Sequence, residues 1–446
     1  MIRFARGVLF VAFFLAGCSA RPGVTGIGEN PQILPAAPVA ASRPLQHVVI
    51  VIQENRSFDN FFATFPGADG TTHGTLHTGK VVPLTKHALL FKNDLTHTYH
   101  TYRVAYDNGK MDGFDLVPAG SASQPAGAYN YAYVDPPFIA PYWTLAKEYV
   151  LADHTFQTQG SGSFTAHQDL IAGGSAIDAT RSVIDLPSIG PPWGCDSPPG
   201  TVTSLITTND VYETNAGPYP CYAYATLRDL LDRKHVSWKY YTPYYKANGG
   251  AIWNAFEAIK AVRDGSEWKT NVSEPQTNVF KDIANKSLPA VSWVIPQAND
   301  SDHPGEPEDH GPSWVAQIVN AIGESQYWNT TAIVIVWDDS GGFYDHVPPP
   351  QLGSGGLGFR VPMIVVSPYA LKGRVVHTAY EFGSVVKFVE DVWGLGRLSQ
   401  TDVRATSIAN CFDFNAPPRP FVPIAAAHSR AFFEREPPSS RPVDDD

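Results

Sequence analysis

Two apolar runs stop abruptly at clustered polar residues. Thr331–Trp337 (TAIVIVW) is short, β-branched and apolar on both alternating sides, which predicts a strand covered on both faces, as in parallel sheets. It ends at Asp338 and Asp339, followed by Gly341, Gly342, Asp345 and His346. His47–Gln53 (HVVIVIQ) repeats the pattern and runs directly into Glu54, Asn55, Arg56, Ser57, Phe58, Asp59 and Asn60. In open α/β sheets ligands bind beyond the carboxyl ends of the strands. An acid and an amide at one strand end and an aspartate pair at another form an oxygen-rich donor set for a hard cation. Adjacent carboxylates cost too much to bury uncompensated, so a cation is their natural partner; a solvated turn is the simpler alternative.

The ends of the chain read differently. Arg3 and Arg6, the apolar stretch Val8–Leu15 and then Leu15-Ala16-Gly17-Cys18 predict a signal peptide over residues 1–17 with a bacterial lipobox, leaving Cys18 for lipid attachment. An ordinary cleaved signal with an incidental cysteine is the alternative. Residues 18–45 are rich in Pro, Ala and Gly without periodicity and read as a tether. From about residue 416 to 446, Pro pairs and the terminal Asp444-Asp445-Asp446 predict a loosely ordered tail. The span 46–415 holds no repeat or low-complexity block and is expected to form one large α/β domain.

A formal charge of −11 without Lys/Arg runs argues against nucleic-acid binding and against electrostatic attachment to anionic lipid, so membrane attachment would come from acylation.

The segments QENRSFDNFF, NDLTH with GKMDGF, PAVSWVIP with DHP, WDDSGGFYDHVPPP and GFRVPMIVVSPYA strongly resemble the bacterial phosphoesterase family of acid phosphatases and phospholipases C, to which plant non-specific phospholipases C also belong. The similarity runs in order from His47 to Phe414. It implies an alkaline-phosphatase-like three-layer α/β fold with a mostly parallel sheet. It further implies hydrolysis of phosphate esters through a metal-bound seryl or threonyl nucleophile.

Phosphoryl transfer of this kind needs an oxygen nucleophile near a helix N-terminus. Gln159–Gly174 (QGSGSFTAHQDLIAGG) supplies one: Gly160 and Gly162 make a tight turn, and Ser163 is placed to cap a helix starting near Phe164. Aligned on Ile171-Ala172-Gly173, the family pattern GPTFPNHLYLIAG puts its nucleophile on Ser163, with Thr165-Ala166 where the family has Pro-Asn. Ser161 and Thr165 are the fallback candidates. The resemblance gives His97 and His303 a role in holding phosphoryl oxygens or protonating the leaving group. His346 is expected to bind metal or to orient Asp339. His377 also sits at a motif edge, while His100, His154 and His310 are read as structural. The metal set is Glu54, Asn55, Asp338, Asp339 and His346; carboxylates and Asn suit Mg²⁺, Ca²⁺ or Mn²⁺, and histidine ligands would admit Zn²⁺.

An exported context permits a disulfide, and Cys195 and Cys221 match paired cysteines of the family. Cys411 is left over as a small buried hydrophobe.

The expected function is an acid-phosphatase-like phosphomonoesterase; a phospholipase C is the alternative within the family. A lipoprotein that binds metal or phosphate without turnover is the non-enzymatic alternative. A sulfatase would carry a Cys/Ser-x-Pro-x-Arg segment, which GSGSFTAHQ is not.

The lipobox generates a direct test. Expressed in a Gram-negative host, the wild type is expected to incorporate labelled palmitate and partition into detergent. Equal labelling of a Cys18→Ala variant would exclude the anchor.

Overall fold

The computed structural model describes residues 44–119, 124–245 and 252–440. Cys18, the leader, the tether before Pro44 and the last six residues lie outside the described residues.

An eight-stranded sheet carries the molecule. In chain order its strands are β1 (His47–Gln53), β2 (Val150–Ala152), β3 (Trp238–Tyr241), β4 (Val272–Ser273), β5 (Val291–Val294), β6 (Thr331–Trp337), β7 (Met363–Val366) and β8 (Arg374–Val376). Across the sheet they run β4-β3-β5-β1-β6-β7-β2-β8. All neighbours are parallel except β7, which is antiparallel to both β6 and β2. The expectation of a mostly parallel sheet holds. β1 lies near the middle between β5 and β6, which explains why its run is apolar on both faces: Val48–Ile52 is fully buried.

Helices cover both faces, and two tryptophans show how. The register sets Trp293 of β5 opposite Ile50, and Ile50 opposite Val334 of β6. Trp337 is three residues further on and therefore points to the other face. Trp293 Nε1 donates to the carbonyl of Leu170 (3.3 Å), in the helix Ser163–Ala172. Trp337 instead packs edge-on against Tyr142 (4.9 Å), in the helix Ala140–Glu148. We label these helices, in chain order, α1 (Ala140–Glu148) and α2 (Ser163–Ala172). With α3 (Gly311–Gly323) packed on α1 and α4 (Phe382–Trp393) packed on α2, the three-layer arrangement is complete.

The C-terminal region departs from expectation. Residues 417–440 pack against the domain rather than trailing from it. Trp328 Nε1 donates to the Arg419 carbonyl (2.7 Å) and Gln317 Nε2 to the His428 carbonyl (2.9 Å). Asn320 brackets Ile424 by donating to its carbonyl (2.9 Å) and accepting from its N–H (2.8 Å). A short helix, α5 (Arg430–Phe433), then lays Phe433 against Trp314 at 5.4 Å. Polar side chains of α3 thus satisfy the backbone of a Pro-rich strap that has no ladder of its own.

Cys195 and Cys221 are joined by a disulfide, and Cys411 is buried. Among the described residues no helix is long and apolar enough to cross a membrane.

Beside the sheet rim Arg360, with a fully buried side chain, makes a two-pronged contact with Asp345 (2.8 and 3.1 Å) and lies 3.5 Å from Asp59. Arg360→Leu is expected to strand both buried carboxylates and cost on the order of 3–5 kcal/mol in chemical denaturation. A loss under about 1 kcal/mol would show that the cluster is not held by this guanidinium.

Candidate active site

Parallel in-register pairing fixes the centre. Gln53 is opposite Trp337, so the residues that follow, Glu54 and Asp338, leave the sheet side by side. Asp338 N–H donates to the Gln53 carbonyl (2.9 Å), Asn55 N–H to Asp338 Oδ1 (3.0 Å) and Arg56 N–H to the Asp339 carbonyl (3.0 Å). Asn55 is left-handed (φ 60°), a conformation Asn tolerates better than most residues. Gly341 (φ +56°) is required by close approach: a Cβ there would sit 2.3 Å from the Asn55 carbonyl oxygen. Glu54, Asn55, Asp338 and Asp339 are all at most 1% exposed.

Helix α2 brings the hydroxyl. Its N-cap is Gly162, so Ser163 is the first helical residue rather than the cap predicted from sequence. Ser163 Oγ lies 3.4 Å from Asp339 Oδ2 and 3.5 Å from Asn55 Oδ1. The fallback hydroxyls are engaged elsewhere: Thr165 Oγ1 donates to Ser161 Oγ (2.6 Å), which itself pairs with Asp185 (2.9 and 3.3 Å).

One turn further along α2, His167 points into the same centre. Its Nε2 is 3.2 Å from Glu54 Oε1 and 3.7 Å from Asp338 Oδ2. Sequence reasoning missed this residue. The signal was present, since Ser163 and His167 are four apart and share a helix face. Donor atoms of Glu54, His167 and Asp338 all fall within 4.8 Å of one another, a set able to hold a divalent cation. Asp338 Oδ2 is buried with no hydrogen-bond partner among the described residues, and burial together with the charge of Glu54 pushes this carboxyl up to about 7. Such a carboxyl either keeps a proton or takes a cation.

Two predicted histidines join the rim. His97 Nδ1 donates to the Leu95 carbonyl (2.7 Å), and its Nε2 faces Asn55 Nδ2 (3.2 Å) and Asp339 Oδ2 (3.7 Å). The Leu95 carbonyl fixes Nδ1 as a donor and turns Nε2 toward Asn55 and Asp339. His303 stands with its ring 6.5 Å from that of His97 and its Nδ1 on the Pro304 carbonyl (2.6 Å). Its loop is clamped from β1: Gln53 accepts from Asp302 N–H (3.0 Å) and donates to the Asp300 carbonyl (3.1 Å). Arg56 completes the clamp, donating to the carbonyls of Asp302 (2.7 Å) and Leu89 (3.0 Å). The arginine of the ENRSFD segment is therefore an anchor for the His303 loop.

His346 does not take the expected position. Its Nδ1 is bonded to Asp59 (2.6 Å) and its Nε2 reaches Asp69 (3.3 Å), so it neither joins the Glu54 cluster nor orients Asp339. Of the remaining histidines, His377 pairs with Asp153 (2.8 Å) and His154 with Asp69 (2.9 Å).

A three-layer α/β protein whose buried carboxylates, histidines and helix-end serine meet at the C-terminal rim of the sheet has the parts of a metal-assisted hydrolase. The sequence model of the Phosphoesterase family matches residues 45–396, and the chain belongs to that family. A non-hemolytic phospholipase C from Pseudomonas aeruginosa is 25% identical over 79% of this chain and 54% of its own length. Phospholipase C B from Mycobacterium tuberculosis is 25% identical over 85% of this chain and 80% of its own. Non-specific phospholipase C6 from Arabidopsis thaliana shares 30% over 34% of this chain and 36% of its own. The chain thus spans about half the length of the Pseudomonas relative. Solved structures with a distant likeness include a protein in the alkaline phosphatase superfamily from Vibrio parahaemolyticus (10% identity, 87% of this chain and 77% of that chain, TM-score 0.39). Another is the lipoteichoic acid synthase LtaP from Listeria monocytogenes (11% identity, 84% and 80%, TM-score 0.38).

His167→Ala is expected to weaken divalent-cation affinity by about 10–100-fold, and Asp338→Asn by more, with the fold retained in both. Titration of the metal-stripped protein measures this; unchanged affinity in both variants would remove these residues from the metal set.

Proposed function

We propose that this chain is a metal-dependent hydrolase of phosphate esters working through a seryl-phosphate intermediate. The observation that carries this reading is the placement of Ser163 Oγ, at the N-terminus of α2 and within 3.5 Å of both Asn55 and Asp339. A protein that only bound metal would need the carboxylates and no such hydroxyl.

Glu54, Asn55, Asp338 and Asp339, with His167, would hold the cation. Bound there, a divalent cation supplies charge stabilisation for the serine oxygen and the phosphoryl oxygens. Carboxylates and Asn55 suit Mg²⁺, Ca²⁺ or Mn²⁺, and the His167 nitrogen extends the set to Zn²⁺.

Ser163 Oγ attacks phosphorus in line with the leaving oxygen, and its proton passes to Asp339 Oδ2, the carboxylate oxygen 3.4 Å away. The first-turn N–H groups of α2, which lack intrahelical partners, favour the phosphoryl oxygens. His97, whose Nε2 faces the centre, donates a proton taken from solvent to the alcohol oxygen as the P–O bond breaks, and then accepts the proton that the attacking water loses. Water then attacks the phosphoserine; phosphate, or a phosphorylated head group, departs and Ser163 regains its proton. Positioning and charge stabilisation account for most of the rate in this kind of transfer.

A phosphomonoester is the first substrate reading, because a centre whose side chains are at most 8% exposed suits a small phosphate group. Phospholipase C activity is the second reading, favoured by the relatives named for it. The lipobox supports export and a lipid anchor at Cys18, which would hold the enzyme beside phospholipid.

A panel of one phosphomonoester, one phosphodiester and phosphatidylcholine separates the two substrate readings. Ser163→Ala is expected to lower turnover by several orders of magnitude while metal binding survives. Quenched wild-type reactions should carry phosphate on the Ser163 peptide. Wild-type turnover in Ser163→Ala would overturn the covalent mechanism, and label on Ser161 or Thr165 would move the nucleophile.

A further inference from the structure

A second cluster of metal-type donors, sharing no residue with the catalytic centre, lies where the C-terminal strap meets the loop after β5. Asp300 follows β5, His310 precedes α3, and Glu436 comes from the strap just after α5. Their donor atoms fall within 4.8 Å of one another. Asp300 is completely buried, and neither of its carboxylate oxygens has a hydrogen-bond partner among the described residues. His310 Nδ1 and Glu436 Oε2 are likewise buried without one.

The spacing is informative. His310 Nδ1 lies 3.5 Å from Asp300 Oδ1 and 3.5 Å from Glu436 Oε1. That is long for N–H···O hydrogen bonds. It matches two ligands of one tetrahedral zinc-like ion, which stand about 3.4 Å apart when each bond is about 2.1 Å. On the far side of the ring Glu308 is 3.6 Å from Nε2, too far for a hydrogen bond, so it adds negative charge near the ring without fixing it.

We propose that Asp300, His310 and Glu436 form a structural site for a transition-type divalent cation of the Zn²⁺ kind, which ties the C-terminal strap to the loop carrying His303. One imidazole nitrogen and two carboxylate oxygens leave a fourth tetrahedral position for water. The competing arrangement is a protonated His310 between two carboxylates. Burial opposes that charge, although the two acids push the ring up to about 10. Uptake of the ion would therefore release the His310 proton. One positive ring also leaves two ionised carboxylates short of one charge, whereas a divalent ion beside a neutral ring balances them.

The position has a consequence for the catalytic rim. Asp300 is three residues before His303, and its carbonyl is held by Gln53 at the end of β1. A cation at its carboxylate would give this loop a second fastening besides the Gln53 bond.

The test uses the full chain and zinc alone. After saturation and dialysis, wild-type protein is expected to retain one zinc equivalent more than Glu436→Gln or Asp300→Asn. Zinc should raise the wild-type melting temperature by more than that of either variant, and Glu436→Gln should remove one zinc equivalent in an Asp338→Asn background as it does in the wild type. Equal zinc content in the wild type and both variants overturns the site. Crystals of the wild type grown with zinc give a reading that needs no variant to fold. An anomalous peak between the three side chains supports the proposal, and its absence at saturating zinc overturns it.

Discussion

Burying Glu54 beside Asp338 is the constraint from which the rest of the centre follows. Both carboxylates are completely buried. At about 4 Å and an effective dielectric near 20, two like charges repel by about 4 kcal/mol. Parallel pairing of β1 with β6 leaves them no way to separate, because the register that joins Gln53 to Trp337 aligns the residues that follow. The fold must supply a positive partner, and His167 from α2 is the only basic side chain within 4 Å of both among the described residues. One imidazole cannot offset Glu54, Asp338 and Asp339 together. The centre therefore holds either extra protons or a cation, and the raised pKa of Asp338 expresses that choice.

Rigidity around the centre comes from side chains that bond to the backbone of neighbouring loops. Gln53 and Arg56 clamp the Asp300–Asp302 segment by its backbone, so the end of one strand leads into Glu54 and Asn55 and also holds the loop of His303. Arg56 is itself immobilised among aromatic rings, with its guanidinium 4.9 Å from the ring centres of Phe91 and Phe343. Such supports convert a loop histidine into one held nearly as firmly as a strand residue.

Much of this was legible in the sequence, and the misses have physical causes. Apolar runs ending in acids announced β1, β6 and the rim between them, because burial on both faces leaves a continuous Val/Ile signature. The Ser163 segment was recognisable by its small residues and its helix start. His167 was overlooked because a histidine inside a helix carries no positional mark until the facing strands are known. The packing of residues 417–440 was hidden for a related reason. Asn320 and Gln317 satisfy the strap through side-chain-to-backbone bonds, which have no period to read. His346 was assigned by its nearness in sequence to Asp339, but the Gly341-Gly342 turn carries the chain away and delivers the ring to Asp59.

Among the described residues three clusters bring histidine and two carboxylates within 4.8 Å of one another: Glu54–His167–Asp338, Asp59–Asp345–His346 and Asp300–His310–Glu436. Composition does not distinguish them; the neighbouring cation does. In the second, Arg360 bonds to Asp345, approaches Asp59 and lies 3.3 Å from His346 Nδ1, so fixed positive charge is already in place and a divalent ion would be repelled. In the third cluster no Arg or Lys forms an ion pair with Asp300 or Glu436 among the described residues, and the first places His167 beside Glu54 and Asp338. Each instead keeps a buried aspartate oxygen without a hydrogen bond. Buried arginine therefore separates the second cluster from the third, where the same residue types meet without it.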